Sequence, residues 1–321
     1  MKYLAIFVAV LLGIIVPILM FSRIPKQPQP VSEIIETTSP TTVTVGEPHH
    51  ITLLQPDGSC IVLPLEEYIV RVVLREMPAE FEYEALKAQA VVARTYTLRK
   101  TNNAPKHGMA AVCTEAACCQ GYRMQEEYLS SGGTQQLLEK VTNAVHDTAG
   151  IVLAYNGELI EATYFSCSGG KTEDALAVWG NDIPYLRSTA SPGEEKATHF
   201  TDTVSFSKQE FASLLKLDKS IPSYKWVEEI TYTNGGGVAR IRLCGRDYSG
   251  TEIRHILGIR STAFTMTVIG DQVIITTRGY GHRVGMSQYG ADAMAVDGKD
   301  YAQILAHYYQ DTKLVSYETL D

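Results

Sequence analysis

The proline at position 78 limits the fold of this chain more than any other single residue, because it cuts one long helical pattern in two. From Glu66 to Arg75 the apolar residues Ile69, Val72 and Val73 recur at spacings of three and four, the period of an amphipathic helix. Proline lacks a backbone donor and disfavours helix at the residue before it, so Met77-Pro78 ends that pattern. The pattern resumes with Ala85, Leu86, Ala88, Gln89, Val92 and Ala93 and runs to about Leu98. The chain must therefore turn a corner between two helices, and Glu76 stands at that corner. A carboxylate there has two readings. Sheltered by both helices, it would hold its proton to higher pH and serve as an acid; left in solvent, it is an ordinary helix-end glutamate. Lys87 and Arg94 lie seven residues apart, near one face of the second helix, with Gln89 and Tyr96 on a neighbouring face. Ala85, Ala88, Ala90 and Ala93 keep that helix narrow enough to pack closely. Beside Glu76 it can form a wall for a polar or anionic substrate.

With 321 residues, 45% of them hydrophobic and 20% charged, the chain has globular composition and length enough for one large domain or two small ones. Its formal net charge of −8, with no Lys/Arg-rich block to offset it, argues against a nucleic-acid partner. Tyr3 to Phe21 is uncharged and just long enough to span a bilayer as a helix. No small-x-small cleavage site follows, so residues 1–23 read as an uncleaved single-pass anchor rather than a removed signal. Residues 24–49, rich in Pro, Ser, Thr and Val, read as an extended tether. The expected domain, residues 50–321, then lies outside the cytoplasm, where six cysteines would by default form disulfides.

Three of those cysteines are placed for something else. Cys113, Cys118 and Cys119 fall with His107 inside thirteen residues of aperiodic chain. Three thiolates and an imidazole meet the tetrahedral demand of zinc, and a closed four-ligand shell leaves no place for water, so such a zinc would be structural. The lack of a C-x-x-C pair keeps a disulfide plus free thiols as the alternative.

Two hairpins are expected, one from Ile51–Leu54 and Ile61–Leu63 about Pro56-Asp57-Gly58, the other from Ile151–Tyr155 and Leu159–Tyr164 about Asn156-Gly157. Thr134 to Thr148 has helical spacing. The second hairpin leads into Ser166-Cys167-Ser168-Gly169-Gly170-Lys171. That run either cradles an oxygen-rich ligand through backbone donors or is an ordinary polar loop. Cys167 reads as a small buried hydrophobe. Thr203 to Leu215 is expected to be a strand and then a helix capped by Ser207, and Ser249 to Leu257 a short helix. Strands at Val227–Thr233, Val238–Leu243, Ala263–Val268 and Gln272–Thr277 make this portion largely an antiparallel sheet.

The last informative stretch is Arg278 to Ala295, where glycines 279, 281 and 285 precede His282, Ser287, Gln288 and Tyr289 at the start of a helix. Taken alone, His282 reads as a hydrogen-bonded structural histidine. Set beside Glu76, Lys87 and Lys171, it suggests the opposite wall of a polar cleft. The expected architecture is α+β, two lobes with the cleft between them, the first helix pair facing the C-terminal glycine-rich motif.

Four motifs, REMPAEF at 75–81, EALKAQAVVARTY at 84–96, YFSCSGGKTED at 164–174 and GYGHRVGMSQYGADAMA at 279–295, carry a resemblance that runs from Ile51 to the C-terminus. In this order they resemble the stage II sporulation protein D family, membrane-anchored lytic transglycosylases of spore-forming bacteria that act during engulfment. The resemblance implies cleavage of peptide-free peptidoglycan strands between N-acetylmuramic acid and N-acetylglucosamine, leaving 1,6-anhydro ends. It makes Glu76 the catalytic acid. It places zinc on His107, Cys113 and Cys119, with Cys118 standing where the family has a histidine. Lys87, Gln89, Arg94, Ser168, Lys171, His282, Ser287, Gln288 and Tyr289 match family motifs as candidates for holding the sugars. The implied location is the mother-cell membrane, and the implied partners are a peptide-cleaving amidase or endopeptidase and a polytopic membrane protein. Related sequences include amidase-enhancing modules, so a non-catalytic glycan-binding scaffold is the alternative. A zinc hydrolase would need an open coordination position, and four protein ligands leave none.

Overall fold

The computed structural model describes residues 49–102, 106–218 and 220–320. The expected anchor, and all of the tether but His49, lie outside those residues. Among the described residues no helix is long and apolar enough to cross a membrane.

The chain opens with the expected antiparallel hairpin, β1 (His50–Leu54) and β2 (Cys60–Pro64). Asp57 closes its turn by accepting from the Ser59 amide at 2.9 Å and the Ser59 hydroxyl at 2.6 Å. Helix α1 (Leu65–Glu76) follows and stops at the Met77-Pro78 break. Helix α2 (Tyr83–Asn102) buries Leu86, Val91, Val92, Leu98 and its alanines around most of its circumference. A helix apolar on nearly every side belongs in the middle of a core, and α2 packs against elements from both ends of the chain.

Strand β3 (Val112–Cys113) joins β1 in parallel. After α3 (Gln125–Ser130) comes α4 (Gln135–His146), capped by the Thr134 hydroxyl accepting from the Leu137 amide at 3.2 Å. The buried Arg94 locks these pieces together. Its guanidinium meets Glu66 of α1 at 2.8 and 2.5 Å, and its remaining donors go to the carbonyls of Val145 at 3.2 Å and Ile151 at 3.0 Å.

Strands β4 (Ile151–Tyr155) and β5 (Glu158–Leu159) form the second hairpin, with Asn156 and Gly157 at φ of 53° and 84° as a two-residue turn of this kind requires. The expected second strand is shorter than its pattern. It ends at Leu159, because the chain bends to bury Ile160 and Ala162 and to pair Glu161 with Arg99 at 3.0 Å. Strand β6 (Tyr164–Phe165) and α5 (Ala175–Trp179) follow.

Next come β7 (Thr201–Ser207) and α6 (Lys208–Leu214), whose capping box unites Ser207 and Glu210 as expected. Strands β8 (Val227–Tyr232), β9 (Val238–Leu243) and β10 (Arg246–Ser249) make an antiparallel meander, and α7 (Gly250–Leu257) starts at a second capping box, Ser249 with Glu252. Strands β11 (Phe264–Ile269) and β12 (Gln272–Arg278) pair with each other and with β7. Strand β13 (Met286–Ser287) returns parallel to β6, and α8 (Gln288–Val296), α9 (Tyr301–Tyr308) and β14 (Lys313–Ser316) complete the α+β fold, β14 lying antiparallel to β4.

Two separate hydrophobic cores result. The larger holds α1, α2, α4, β4 and the C-terminal helices; the smaller is built from residues such as Phe211, Trp226, Ile241, Ile253 and Ile275. All six cysteines are free, so the disulfides expected by default for an exported chain are not formed.

Candidate active site

A cavity of about 710 Å³ opens beside the C-terminal end of α1. Arg75 and Glu76 line it, loop 116–121 forms one wall, and Tyr164–Ser166 with Tyr280–His282 forms another. Glu76 and His282 thus share one cavity, the helix pair facing the glycine-rich motif. It does not lie between two lobes, however. No residue of the smaller core lines it, because the chain leaving β12 is drawn back to the larger core by the pairing of β13 with β6 and of Tyr280 with Cys167.

Glu76 is half-buried. Burial is the strongest influence on its carboxyl and raises its pKa; the Gly121 amide, the Tyr164 hydroxyl and the Arg75 charge pull the other way with less effect. The Gly121 N–H donates to Oε1. Only glycine permits that approach, since a Cβ at position 121 would fall 2.8 Å from Oε1 and 2.5 Å from Cγ of Arg75. Behind the carboxylate, Nε2 of Gln288 donates to the Glu76 carbonyl at 2.9 Å and to Oε1 of Gln89 at 3.3 Å, tying α8 and α2 to the end of α1. Glu76 is the only carboxylate among the described residues that line the cavity.

His282 lies against Phe165 at 5.6 Å and Trp179 at 5.4 Å between ring centroids, and its Nδ1 accepts from the Val284 amide at 3.1 Å. Burial, helped by the nearby Arg254 charge, pushes its pKa down to about 4. At neutral pH it is an uncharged part of the wall.

The other expected contacts divide. Gln288 lines the cavity, and Gln89 stands buried behind it. Arg94 is spent on Glu66. Lys87 pairs with Glu84 at 2.9 Å and sits 4.7 Å over the Tyr301 ring, Tyr289 packs on Phe81 at 4.9 Å, and Lys171 reaches the Asn234 carbonyl at 2.7 Å; none of the three lines the cavity.

Ser168 and Ser287 are taken by a residue that carries no motif. Oε2 of Glu194 accepts from the amides of Ser168 at 2.9 Å, Gly169 at 2.8 Å and Gly170 at 3.2 Å, and from the Ser168 hydroxyl at 2.7 Å. Its Oε1 accepts from the hydroxyls of Ser191, at 2.7 Å, and Ser287. The serine-glycine loop does cradle oxygen through backbone donors, and that oxygen belongs to the protein itself. In the sequence the only sign of Glu194 is the turn-forming Ser191-Pro192-Gly193 before it.

The expected metal ligands come together. The ligand atoms of His107, Cys113, Cys118 and Cys119 all lie within 4.8 Å of one another, with Nε2 of His107 at 3.3 Å from the Cys119 sulfur and 3.5 Å from that of Cys118. Ligands on a tetrahedral zinc stand roughly 3.3–3.8 Å apart, so this donor set fits the ion with little rearrangement. Lys106, donating to Cys118 at 3.1 Å, draws that thiol below its ordinary range, whereas burial pushes the Cys119 thiol up to about 12. Cys118 and Cys119 belong to the same loop that lines the cavity and presents Gly121 to Glu76.

Comparison with known proteins adds the ancestry. Residues 58–155 match a family model described as Stage II sporulation protein. Stage II sporulation protein D of Bacillus subtilis (strain 168) is 42% identical over 258 residues, covering 78% of this chain and 74% of that protein. Its counterpart from Bacillus amyloliquefaciens is also 42% identical, over 253 residues, 77% of this chain and 73% of its own. The amidase enhancer of Bacillus subtilis (strain 168) is 30% identical over 303 residues, which cover 77% of this chain and 40% of the enhancer. With most of the chain matched at this level, it belongs to the stage II sporulation protein D family.

Proposed function

We infer that this sporulation protein is a lytic transglycosylase acting on peptide-free peptidoglycan strands. The observation that carries the reading is a single carboxylate, with its proton affinity raised by burial, in the wall of a polar cavity. Hydrolytic glycosidases use two carboxyl groups, one as acid and the other as base or nucleophile. One carboxyl suffices when the nucleophile arrives with the substrate. Glu76 protonates the glycosidic oxygen as its bond to C1 of N-acetylmuramic acid breaks. The resulting carboxylate then takes the proton of that sugar's 6-hydroxyl as O6 bonds to C1. The products are an N-acetylglucosamine 4-hydroxyl and a 1,6-anhydro end, with no water consumed.

In this reading zinc, held by His107, Cys113, Cys118 and Cys119, supplies no chemistry; it fixes the wall that carries Gly121. The strand is the proposed ligand, prepared by a peptide-cleaving partner, with the protein held at the mother-cell membrane beside a polytopic one. The test is mass spectrometry of products from the full-length protein and purified peptide-free strands. Anhydro-muramyl ends support the reading, whereas reducing ends would make the protein a hydrolase.

Gly121→Ala probes the geometry directly. The added methyl must push the carboxylate away from its amide, and a displacement of about 1 Å costs on the order of 10²-fold in rate. We expect kcat/KM to fall by about that factor while the melting temperature changes little. Unchanged kcat/KM would show that the Gly121 amide does not position the acid.

A second reading rests on the amidase enhancer match. A non-catalytic strand-binding protein that assists an amidase would need the same cavity but not the acid, so Glu76→Gln would leave its assistance intact.

A further inference from the structure

Another cavity, of about 440 Å³, adjoins the first on the side of Tyr280, which lines both. Two arginines stand in it, and they are in different situations. Arg260 is satisfied: it pairs with Asp202 at 2.9 Å and lies 4.9 Å over the Tyr280 ring. Arg254, projecting from α7, is half-buried, yet among the described residues its side chain makes no ion pair and no hydrogen bond. Burial without a partner works against its charge and lowers its pKa. Arg254 also stands close enough to His282, in the wall of the Glu76 cavity, for its charge to depress the histidine's pKa. A guanidinium is kept charged by almost any protein environment, and a desolvated one is stabilised most by a bidentate carboxylate. Helix α7, anchored in the smaller core by Ile253 and Leu257, thus sets one cation in the cavity on the other side of Tyr280 from Glu76.

The geometry points to Arg254 as the residue that receives a carboxylate of the bound glycan strand, in the cavity next to the one that holds Glu76. This rests on the strand being the ligand, as proposed above. Removal of the stem peptide turns an amide on the lactyl group of muramic acid into a free carboxylate. The charge therefore marks a strand as stripped, and Arg254 reads the mark.

Strands in the free-acid form and strands whose lactyl carboxylates have been converted to methylamides differ at this group alone. Binding of each is measured by titration calorimetry on the full chain carrying Glu76→Gln, with and without Arg254→Gln. With Arg254 present, the acid form should bind roughly 10–100-fold more tightly than the amide, the range for one charge-assisted contact. With Arg254→Gln, both forms should bind as weakly as the amide did, and Arg254→Lys should recover part of the preference. Thermal melting should show Arg254→Gln as stable as its parent, because among the described residues the half-buried guanidinium has no ion pair or hydrogen bond to lose. Equal binding of acid and amide to the parent, a preference that survives in Arg254→Gln, or no binding of either strand would each overturn the inference. Cleavage is scored separately with Glu76 present. Strands bound with acid preference but left uncut would end the transglycosylase reading and leave Arg254's role standing.

Discussion

Glu76→Gln should abolish strand cleavage and at the same time make the folded protein more stable at neutral pH. A positioned general acid is worth about 10²–10⁴-fold in rate, and among the described residues no other carboxylate lines the 710 Å³ cavity to stand in for it. Glutamine keeps an oxygen for the Gly121 amide, so the wall should not move. The stability gain follows from the direction of the pKa shift. Burial raises the pKa of Glu76 in the folded state, which means the folded protein binds that proton more tightly than the unfolded chain does. Its contribution is therefore fully present below the unfolded pKa and is lost as pH rises through the folded one. At neutral pH the ionised glutamate costs stability that glutamine does not. The melting temperatures of the two proteins should converge as pH falls to the ordinary glutamate range. The same shift sets the basic limb of activity: kcat/KM should decline as pH rises through the folded pKa of Glu76, later than an unshifted glutamate would allow. A pH series of rates and melting curves checks both. A variant that cuts at the wild-type rate would remove Glu76 from the chemistry.

Removing the metal should have an effect of similar size by a different route. Cys118, Cys119 and Gly121 share one short loop, so on the zinc reading proposed above release of the ion would free the cavity wall and the amide that holds the acid. Structural zinc contributes folding free energy directly, about 10 kcal/mol or more in small zinc domains. Here the loss falls on loop 106–121, since the two hydrophobic cores contain only a few of its residues. We expect one zinc per chain, and after chelation both new protease sensitivity within 106–121 and a loss of cleavage of about 10²-fold or more. Cys113→Ser should likewise lose the zinc, the protease protection and the cleavage, because its sulfur is one of the three that converge with the His107 imidazole. Chelation that strips the ion yet leaves the loop protected and cleavage intact would rule out this role for the metal.

The fold was legible where its determinants are close in sequence. The Asn156-Gly157 turn, the capping box at Ser207 and the corner at Pro78 each act within a few residues, and each formed as its pattern requires. The His107–Cys119 cluster was legible for the same reason. What sequence could not convey was how polar side chains would be used over long separations. Arg94 has the character of a cleft residue until Glu66 is placed against it, and Ser168 and Ser287 until Glu194 is. The cleft was expected between two lobes, the first helix pair facing the glycine-rich motif across it. The short parallel pairing of Met286–Ser287 with Tyr164–Phe165, too brief to leave a periodic signal, carries His282 to the larger core instead. Arg254 gave no sign at all. It sits on an ordinary capped helix, and its significance is the lack of a partner, which only three dimensions disclose.

Glu194 has a consequence for how this sequence can change over time. Its two oxygens collect donors from three separate stretches of chain, around 168, 191 and 287, so these positions form one epistatic unit. With the acid in place, loss of any one hydroxyl leaves the carboxylate short of a donor in a dry setting. Once the acid is gone, the hydroxyls keep only their lesser partners, Tyr308 at 2.6 Å for Ser191 and the amides of Gly290 and Gly170 for Ser287 and Ser168, so replacing them by alanine costs less than it did with the acid present. Lineages can therefore leave this arrangement only by passing through less stable intermediates, which makes a serine-rich motif persist for reasons unconnected with the substrate.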